Sequence, residues 1–382
     1  MDAAKLLPPS YFLDDIWTYL QSASRPIVVY GMGNGGDKLT AKLHMLDLEV
    51  ADYFASDEFV RGQSFHGKVV LTLREIEEKY DTFIILVCFG SHLASVTERI
   101  YQIAERHELY IPDMPLAGET YFDASFYRAH YEEILAAASL LADETSLKLF
   151  SEIVWYKLTA HSSHLRAAVM QTDEKALSGF SDMRVAVDVG AYRGDTLKEM
   201  ISDAPKLTHA YAVEPDPKNF AKLSLYAETV KKNVTVTCIR AAAWNENGEA
   251  SFAVSGNRNA SVLVGGVSVS HQYKSVTVPL ATVDSILENA GRAHSAVDYI
   301  KYDTEGAELY ALMGSEKTIE TYHPHLLISC YHRSEDLFKL PLYLSHRFAD
   351  AYRFYLRRRD CIPAWDLDLI AVPVQERRIT HG

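Results

Sequence analysis

The chain of 382 residues is short of several things, and each shortage excludes a class of protein. It has only four cysteines, Cys88, Cys238, Cys330 and Cys361, widely separated. No two have the spacing of zinc ligands, so a zinc finger or ribbon is excluded. Cys88, Cys238 and Cys330 sit inside apolar strand-like runs, where buried reduced thiols are expected. Reduced thiols in turn point to the cytoplasm. Basic residues are outnumbered, 38 Lys and Arg against 51 Asp and Glu, for a net charge of −13. A surface that neutralises many phosphates needs the opposite balance, so no nucleic-acid partner is expected. The one dense basic run, Arg357-Arg358-Arg359, reads as a solvated edge or a small-anion contact. No apolar run approaches the roughly 20 residues that span a bilayer. Met1 to Pro9 lacks the basic start and long apolar stretch of a secretory signal. No membrane span and no leader are therefore expected.

What is present is a soluble, core-forming composition, 48% apolar, in a chain too long for one ordinary core. Residues 26–115 alternate strand and helix, with strands at Pro26–Tyr30, Val50–Ala55 and Phe83–Phe89 and helices at Lys38–Leu46, Leu73–Tyr80 and Leu93–Arg106. Residues 123–166 carry only helical spacing, and Asp143-Glu-Thr-Ser146 has the form of a helix cap. Residues 181–382 resume the alternation, with Ala250–Val254 and Ser275–Pro279 as an inserted β-ribbon and Arg353–Arg357 with Leu367–Val372 as a terminal antiparallel pair. The expected class is α/β: two doubly wound Rossmann-like domains, 1–120 and 181–382, joined by a helical connector, 121–180. Oligomeric assembly stays open.

The most informative run is Val185-Ala-Val-Asp-Val-Gly-Ala-Tyr-Arg-Gly-Asp-Thr196. An apolar strand ends in Asp188. A turn bounded by Gly190 and Gly194 follows, with Ala191 and Tyr192 inside it, then a helix opening at Asp195 and Thr196. The glycines would let the backbone turn tightly and approach a ligand. The next strand, His209–Val213, ends in Glu214, 20 residues after Gly194, with Pro215 stiffening the turn. Asp188 is placed to hold an ammonium directly or through water, the helix start to favour a carboxylate, and Glu214 to accept a ribose diol. A nucleoside with an amino-acid end fits, which is S-adenosylmethionine. A shortened dinucleotide fingerprint or a plain βαβ turn is the competing account.

Two further strand tips carry chemistry. Ile300-Lys-Tyr-Asp-Thr-Glu-Gly-Ala-Glu308 ends a strand in three acids. Asp303 is expected to face the crevice and to act on the ligand or as a base, with Glu305 beside it. Glu308 reads more simply as a helix-start charge. Next comes Ser329-Cys-Tyr-His-Arg333. There a neutral His332 beside Asp303 would take a hydroxyl proton or make a substrate hydrogen bond. His323 and His325 read as loop residues. The polar loop Asn257–Ser261 is expected to cover the acceptor.

Taken in order, Asp188-Val-Gly-Ala, Gly194-Asp-Thr, Val213-Glu-Pro, Ala243-Trp-Asn-Glu-Asn-Gly-Glu249 and Ile300–Glu308 resemble the FkbM family of methyltransferases. Thr304 stands where that family usually has valine. The connector run Asp143–Phe150, the run His332–Phe338 and the closing Leu369–Pro373 extend the resemblance to about residues 143–373. It implies a class I methyltransferase fold and S-adenosylmethionine as donor, held by Asp188, Gly190, Ala191, Tyr192, Gly194, Asp195, Thr196, Glu214, Pro215, Ala242 and Asp303. It also implies a hydroxyl acceptor, on a sugar, polysaccharide or secondary metabolite; Asp303 or His332 is expected to remove its proton, with Glu305 as a further catalytic candidate. No metal is expected: Asp303 could serve as a ligand, as in catechol-type enzymes, but no second acid pair matches.

The N-terminal half has its own Gly31-x-Gly33-x-x-Gly36 after a strand, with Asp57 21 residues beyond. It resembles small Rossmann-type domains attached to sugar-modifying enzymes. The alternative function is therefore an NAD(P)- or nucleotide-sugar-binding oxidoreductase or sensor that works from this fingerprint.

Overall fold

Two largely parallel sheets carry the chain in a computed structural model that describes residues 2–168, 173–254, 262–263, 274–290 and 296–374. The N-terminal sheet consists of β1 (Ile27–Tyr30), β2 (Val50–Phe54), β3 (Ile84–Val87) and β4 (Glu108–Tyr110). Its order is β2-β1-β3-β4, parallel throughout. β1 and β3 are buried at every residue, as strands covered on both faces must be. Helix α1 (Gly33–Met45) starts inside the glycine run that reads as a turn from sequence.

The C-terminal half has β5 (Val185–Val189), β6 (His209–Val213), β7 (Thr235–Ile239), the ribbon strands β8 (Gly248–Val254) and β9 (Lys274–Ala281), then β10 (Tyr299–Tyr302), β11 (His325–Ser329), β12 (Tyr352–Arg358) and β13 (Leu367–Pro373). The seven-stranded sheet runs β12-β13-β11-β10-β5-β6-β7. Only β13 opposes its neighbours. β8 and β9 pair antiparallel outside it, as the inserted ribbon requires. His325 opens β11 rather than lying in a loop. The chain leaves β5 towards β6 on one side and returns to β10 on the other. A doubly wound sheet opens a ligand crevice at such a reversal, above the carboxyl ends of the strands.

Between the sheets the described chain is helical. The longest helix there is α2 (Glu144–Thr159), and Asp143 Oδ1 caps it by accepting the Ser146 N–H at 2.6 Å. Its Phe150, Ile153 and Val154 share one apolar core with Val28 and Ile85 of the first sheet and Val187 and Ile300 of the second. That continuity is why the segment orders. Two of the three residues of the basic run do not form a solvated edge. Arg357 and Arg358 are buried. Arg357 pairs with Asp143 at 2.9 Å and with Asp173, and Arg359 with Glu174 at 3.0 Å. The acids come from the helical segment, so the run ties that segment to the second sheet. All four cysteines are free thiols, three buried and Cys238 half-buried.

The β12–β13 hairpin reaches the N-terminal half. Ser91 and Ile362 exchange backbone hydrogen bonds at 2.7 and 3.1 Å, and His92 Nδ1 lies 3.1 Å from Asp366 Oδ2.

Candidate active site

A cavity of about 370 Å³ opens at the carboxyl ends of β5, β6, β10 and β11. That size is in the usual small-molecule range, roughly 300–1,000 Å³. Of the residues singled out from sequence, Gly190, Tyr192, Asp195, Thr196, Glu214, Pro215, Ala242, Asp303 and Glu305 line it.

Others expected at the ligand do not line it, for physical reasons. Asp188 is wholly buried and sits in register with Lys301 on β10. No hydrogen-bond partner reaches either of its oxygens. Burial pushes its carboxyl up to about 6 although Lys301 pulls the other way. It lies under the cavity floor rather than gripping an ammonium directly. Ala191 is also fully covered. At Gly194, with φ +90°, a β-carbon would come 2.8 Å from the Tyr226 ring. Its freedom therefore serves the packing of α3 (Asp195–Asp203) on α4 (Pro217–Val230). Gly190 does both: it lines the cavity and lets β5 approach β10.

Glu214 is built in firmly. Its Oε2 accepts the Tyr192 N–H at 2.8 Å and its Oε1 the Asp216 N–H at 2.9 Å. Asp216 in turn caps α4. Burial still pushes the Glu214 carboxyl up to about 7 against those two donors. A group of this kind is poised to accept further hydroxyl hydrogens, since each oxygen keeps a lone pair.

Beside it lies an acid–histidine cluster. Lys301 Nζ binds Asp303 Oδ2 at 2.9 Å, and this contact, with Asp188, keeps the buried lysine charged against the cost of burial. His332 is 1% exposed. Its Nε2 lies 3.6 Å from Asp303 Oδ1 and 3.5 Å from Glu305 Oε2, and its Nδ1 lies 3.0 Å from Glu308 Oε1. Burial opposes the charged ring, but Glu308, Glu305 and Asp303 outweigh it and lift His332 to about 10. The expected neutral, crevice-facing histidine is therefore not what the fold builds. His332 is brought beside Asp303 as the sequence implied, but covered and favouring the proton. Asp303, Glu308 and His332 each offer a donor atom, all within 4.8 Å of one another, a grouping that could hold a metal ion.

Several lining residues escape the sequence reading: Glu174, Glu199, Lys301, Arg359, Asp366 and Asp368, with His92 from the N-terminal half. Asp366 and Asp368 did carry a signal. β13 runs antiparallel, so its amino end shares an edge with the carboxyl ends of the other strands. Glu174 had none, because it arrives from the helical segment. The Asn257–Ser261 loop lies outside the described residues.

In the N-terminal half, Gly31, Gly33 and Gly36 gather at the β1–α1 turn, but side chains occupy much of the space beside them. A β-carbon on Gly31 would sit 2.6 Å from Phe89, and one on Gly36 2.9 Å from Phe65. Asp57 lies beyond the end of β2 in a short 3₁₀ turn and is exposed. It is not at the strand tip, because β2 ends at Phe54 and Ala55 is drawn to Leu71 by a 3.0 Å hydrogen bond.

No curated protein sequence matches the chain. Among solved structures, it is similar to the methyltransferase FkbM from Methylobacillus flagellatus KT, with a TM-score of 0.69, 20% identity and 97% of each chain covered. A precorrin-6y C5,15-methyltransferase from Geobacter metallireducens GS-15 matches 51% of this chain and 82% of its own at a TM-score of 0.31 and 11% identity. Aeropyrum pernix fibrillarin, in complex with natively bound S-adenosyl-L-methionine, matches 52% of this chain and 73% of its own at 0.31 and 13%. The last two similarities are too low to bear on what this chain binds. The first extends the shared fold over both sheets. Residues 188–360 match the model of the methyltransferase FkbM domain, and this part of the chain is accordingly an FkbM-family methyltransferase domain.

Proposed function

We propose that the chain transfers a methyl group from S-adenosylmethionine to a hydroxyl oxygen of a sugar, polysaccharide or secondary metabolite. The observation that carries this reading is Glu214, held by two backbone N–H groups at the tip of β6 with its carboxylate on the cavity wall. A nucleoside diol supplies the hydrogens that would make its ionised form comfortable. Ala241, Ala242 and Ala243 leave room beside it for a flat base. Carboxylates of Asp195, Glu199, Asp216 and Asp303 give the cavity the sign that suits a cationic sulfonium and disfavours a phosphorylated acceptor.

The donor, when bound, supplies an electrophilic methyl. The protein's part is to align the acceptor and to take its proton. Asp303 is the residue for that proton. It lines the cavity, Lys301 fixes its Oδ2, and its Oδ1 is turned to the His332 side. As the carbon–oxygen bond forms and the carbon–sulfur bond breaks, the hydroxyl proton passes to Asp303 and then to solvent. Glu305 and the acids of the β12–β13 hairpin are placed to accept hydrogen bonds from a polyol. His332 and Glu308 position this group from beneath.

The reading is tested by titrating S-adenosylmethionine into the full chain, then following label from its methyl group into neutral polyols and glycans. Saturable binding is expected, with methyl transfer lost by about a hundred-fold or more in Asp303→Asn. No binding of donor or demethylated product at millimolar concentration would sink it, as would an unchanged rate in the variant.

A further inference from the structure

We infer that Asp303, Glu308 and His332 form a divalent-cation site at the base of the crevice. Three different elements deliver them: the tip of β10, the first turn of α5 (Glu308–Met313), and the residues just past β11. In each, one polar atom is committed to the scaffold. Lys301 holds Asp303 Oδ2 at 2.9 Å. The N–H groups of Thr304 and Gly306 donate to Glu308 Oε1 at 2.7 and 3.3 Å. The N–H groups of Leu116 and Ala117 donate to the His332 carbonyl at 3.1 and 2.9 Å.

In Glu308 and His332 what remains is buried and poorly satisfied. Glu308 Oε2 has no hydrogen-bond partner, and neither ring nitrogen of His332 has one in good alignment, although Oε1 of Glu308 stands 3.0 Å from Nδ1. Both residues are 1% exposed. Leaving a buried polar group without a well-aligned partner is unfavourable. The chain also bends to make the arrangement, with Glu305 at φ +56° and Gly306 at φ +99°. A left-handed glutamate is a strained choice, and it is this bend that aims the Thr304 and Gly306 N–H groups at Glu308. One cation would bridge Asp303, Glu308 and an imidazole nitrogen of His332, whose donor atoms all lie within 4.8 Å of one another, with Glu305 Oε2 3.5 Å from Nε2 as a further acid at hand. Two carboxylates with one imidazole suit Mn²⁺ or Zn²⁺ better than Ca²⁺, which prefers an all-oxygen shell.

An imidazolium paired with its carboxylates is the competing account, because a proton and a metal vie for the same nitrogen. With Asp303 bound to a cation, the cation would take over that residue's part at the acceptor hydroxyl by lowering the oxygen's pKa, a role that rests on the methyl-transfer reading. The binding itself does not, and it is measured without donor or acceptor.

The full chain, stripped with a chelator, is titrated with Mn²⁺ while free Mn²⁺ is followed by electron paramagnetic resonance. One Mn²⁺ per chain at micromolar concentration is expected, displaced by Zn²⁺ and weakened at least ten-fold in Asp303→Asn, whose folding is checked by circular dichroism. A second readout needs no variant: bound Mn²⁺ should broaden the His332 ring resonances ahead of those of the other histidines. No saturable binding up to millimolar Mn²⁺ or Zn²⁺, unchanged affinity in a folded Asp303→Asn, or broadening centred on other histidines overturns the inference. If donor still binds in that case, the metal site falls alone and the methyl-transfer reading stands.

Discussion

Gly190 and Asp303 stand so close that a β-carbon on Gly190 would lie 1.8 Å from the Asp303 carbonyl oxygen. Two strand tips that both face the cavity are thus fused through a residue without a side chain. Gly190 also has φ +86°, which other residues reach only under strain. Gly190→Ala meets both penalties at once, and the obstacle is backbone, which cannot swing aside. A loss of about 2 kcal/mol or more is expected, seen as a lower thermal midpoint, together with weaker donor binding by calorimetry. Wild-type stability and affinity in this variant would contradict the close approach.

Glu214 makes the apo protein's stability depend on pH in an unusual direction. Its folded value, about 7, lies above the ordinary 4.5. Between those values the folded state holds a proton that the unfolded chain has released. Stability therefore falls as pH rises through this window, and the buried Asp188, at about 6, adds to the same trend. Donor should remove part of the trend if its diol stabilises the ionised carboxylate. Thermal midpoints from pH 5 to 8 should slope downward in the apo protein, less steeply with donor, and less steeply in Glu214→Gln. An apo slope of opposite sign would refute this.

Much of this was legible because apolar strands and acidic tips are local patterns. Val185–Asp188 and His209–Glu214 announce buried parallel strands, and Glu214 a crevice acid, without any knowledge of the fold. The helix cap at Asp143 was legible for the same reason. What was not legible depends on distance. The glycine at 194 reads as a ligand contact until Tyr226, 32 residues on, is found against it. His332 reads as a free base until Glu305 and Glu308 are placed around it. β4 is three residues long, too short for any periodicity. Arg357–Arg359 reads as surface because its acids lie in another segment.

Asp143 holds two jobs that substitutions can separate. Oδ1 caps α2 through Ser146, and Oδ2 pairs with Arg357 at 2.9 Å. Asparagine keeps a cap but loses the charge, whereas alanine loses both. Asp143→Ala should cost about 1 kcal/mol more than Asp143→Asn in urea unfolding. Asp173 continues to hold Arg357 in either variant, so neither leaves the buried guanidinium wholly unpaired. Equal losses in the two would mean the cap contributes nothing.

The N-terminal half should tune acceptor use through Gly90. A β-carbon there would come 2.1 Å from the Trp365 ring, which sits on the β12–β13 hairpin next to Asp366. Asp366 lines the cavity and pairs with His92, two residues after Gly90. Displacing the indole disturbs the hairpin beside Asp366, while Glu214 and the β5 turn belong to the other side of the sheet order. Gly90→Ala is therefore expected to raise the acceptor KM several-fold and leave donor Kd within about two-fold. Steady-state kinetics with one acceptor and calorimetry with the donor separate the two effects. If donor affinity falls as much as acceptor use, the hairpin is not acting on the acceptor side alone, and the division of the cavity drawn from these residues is wrong.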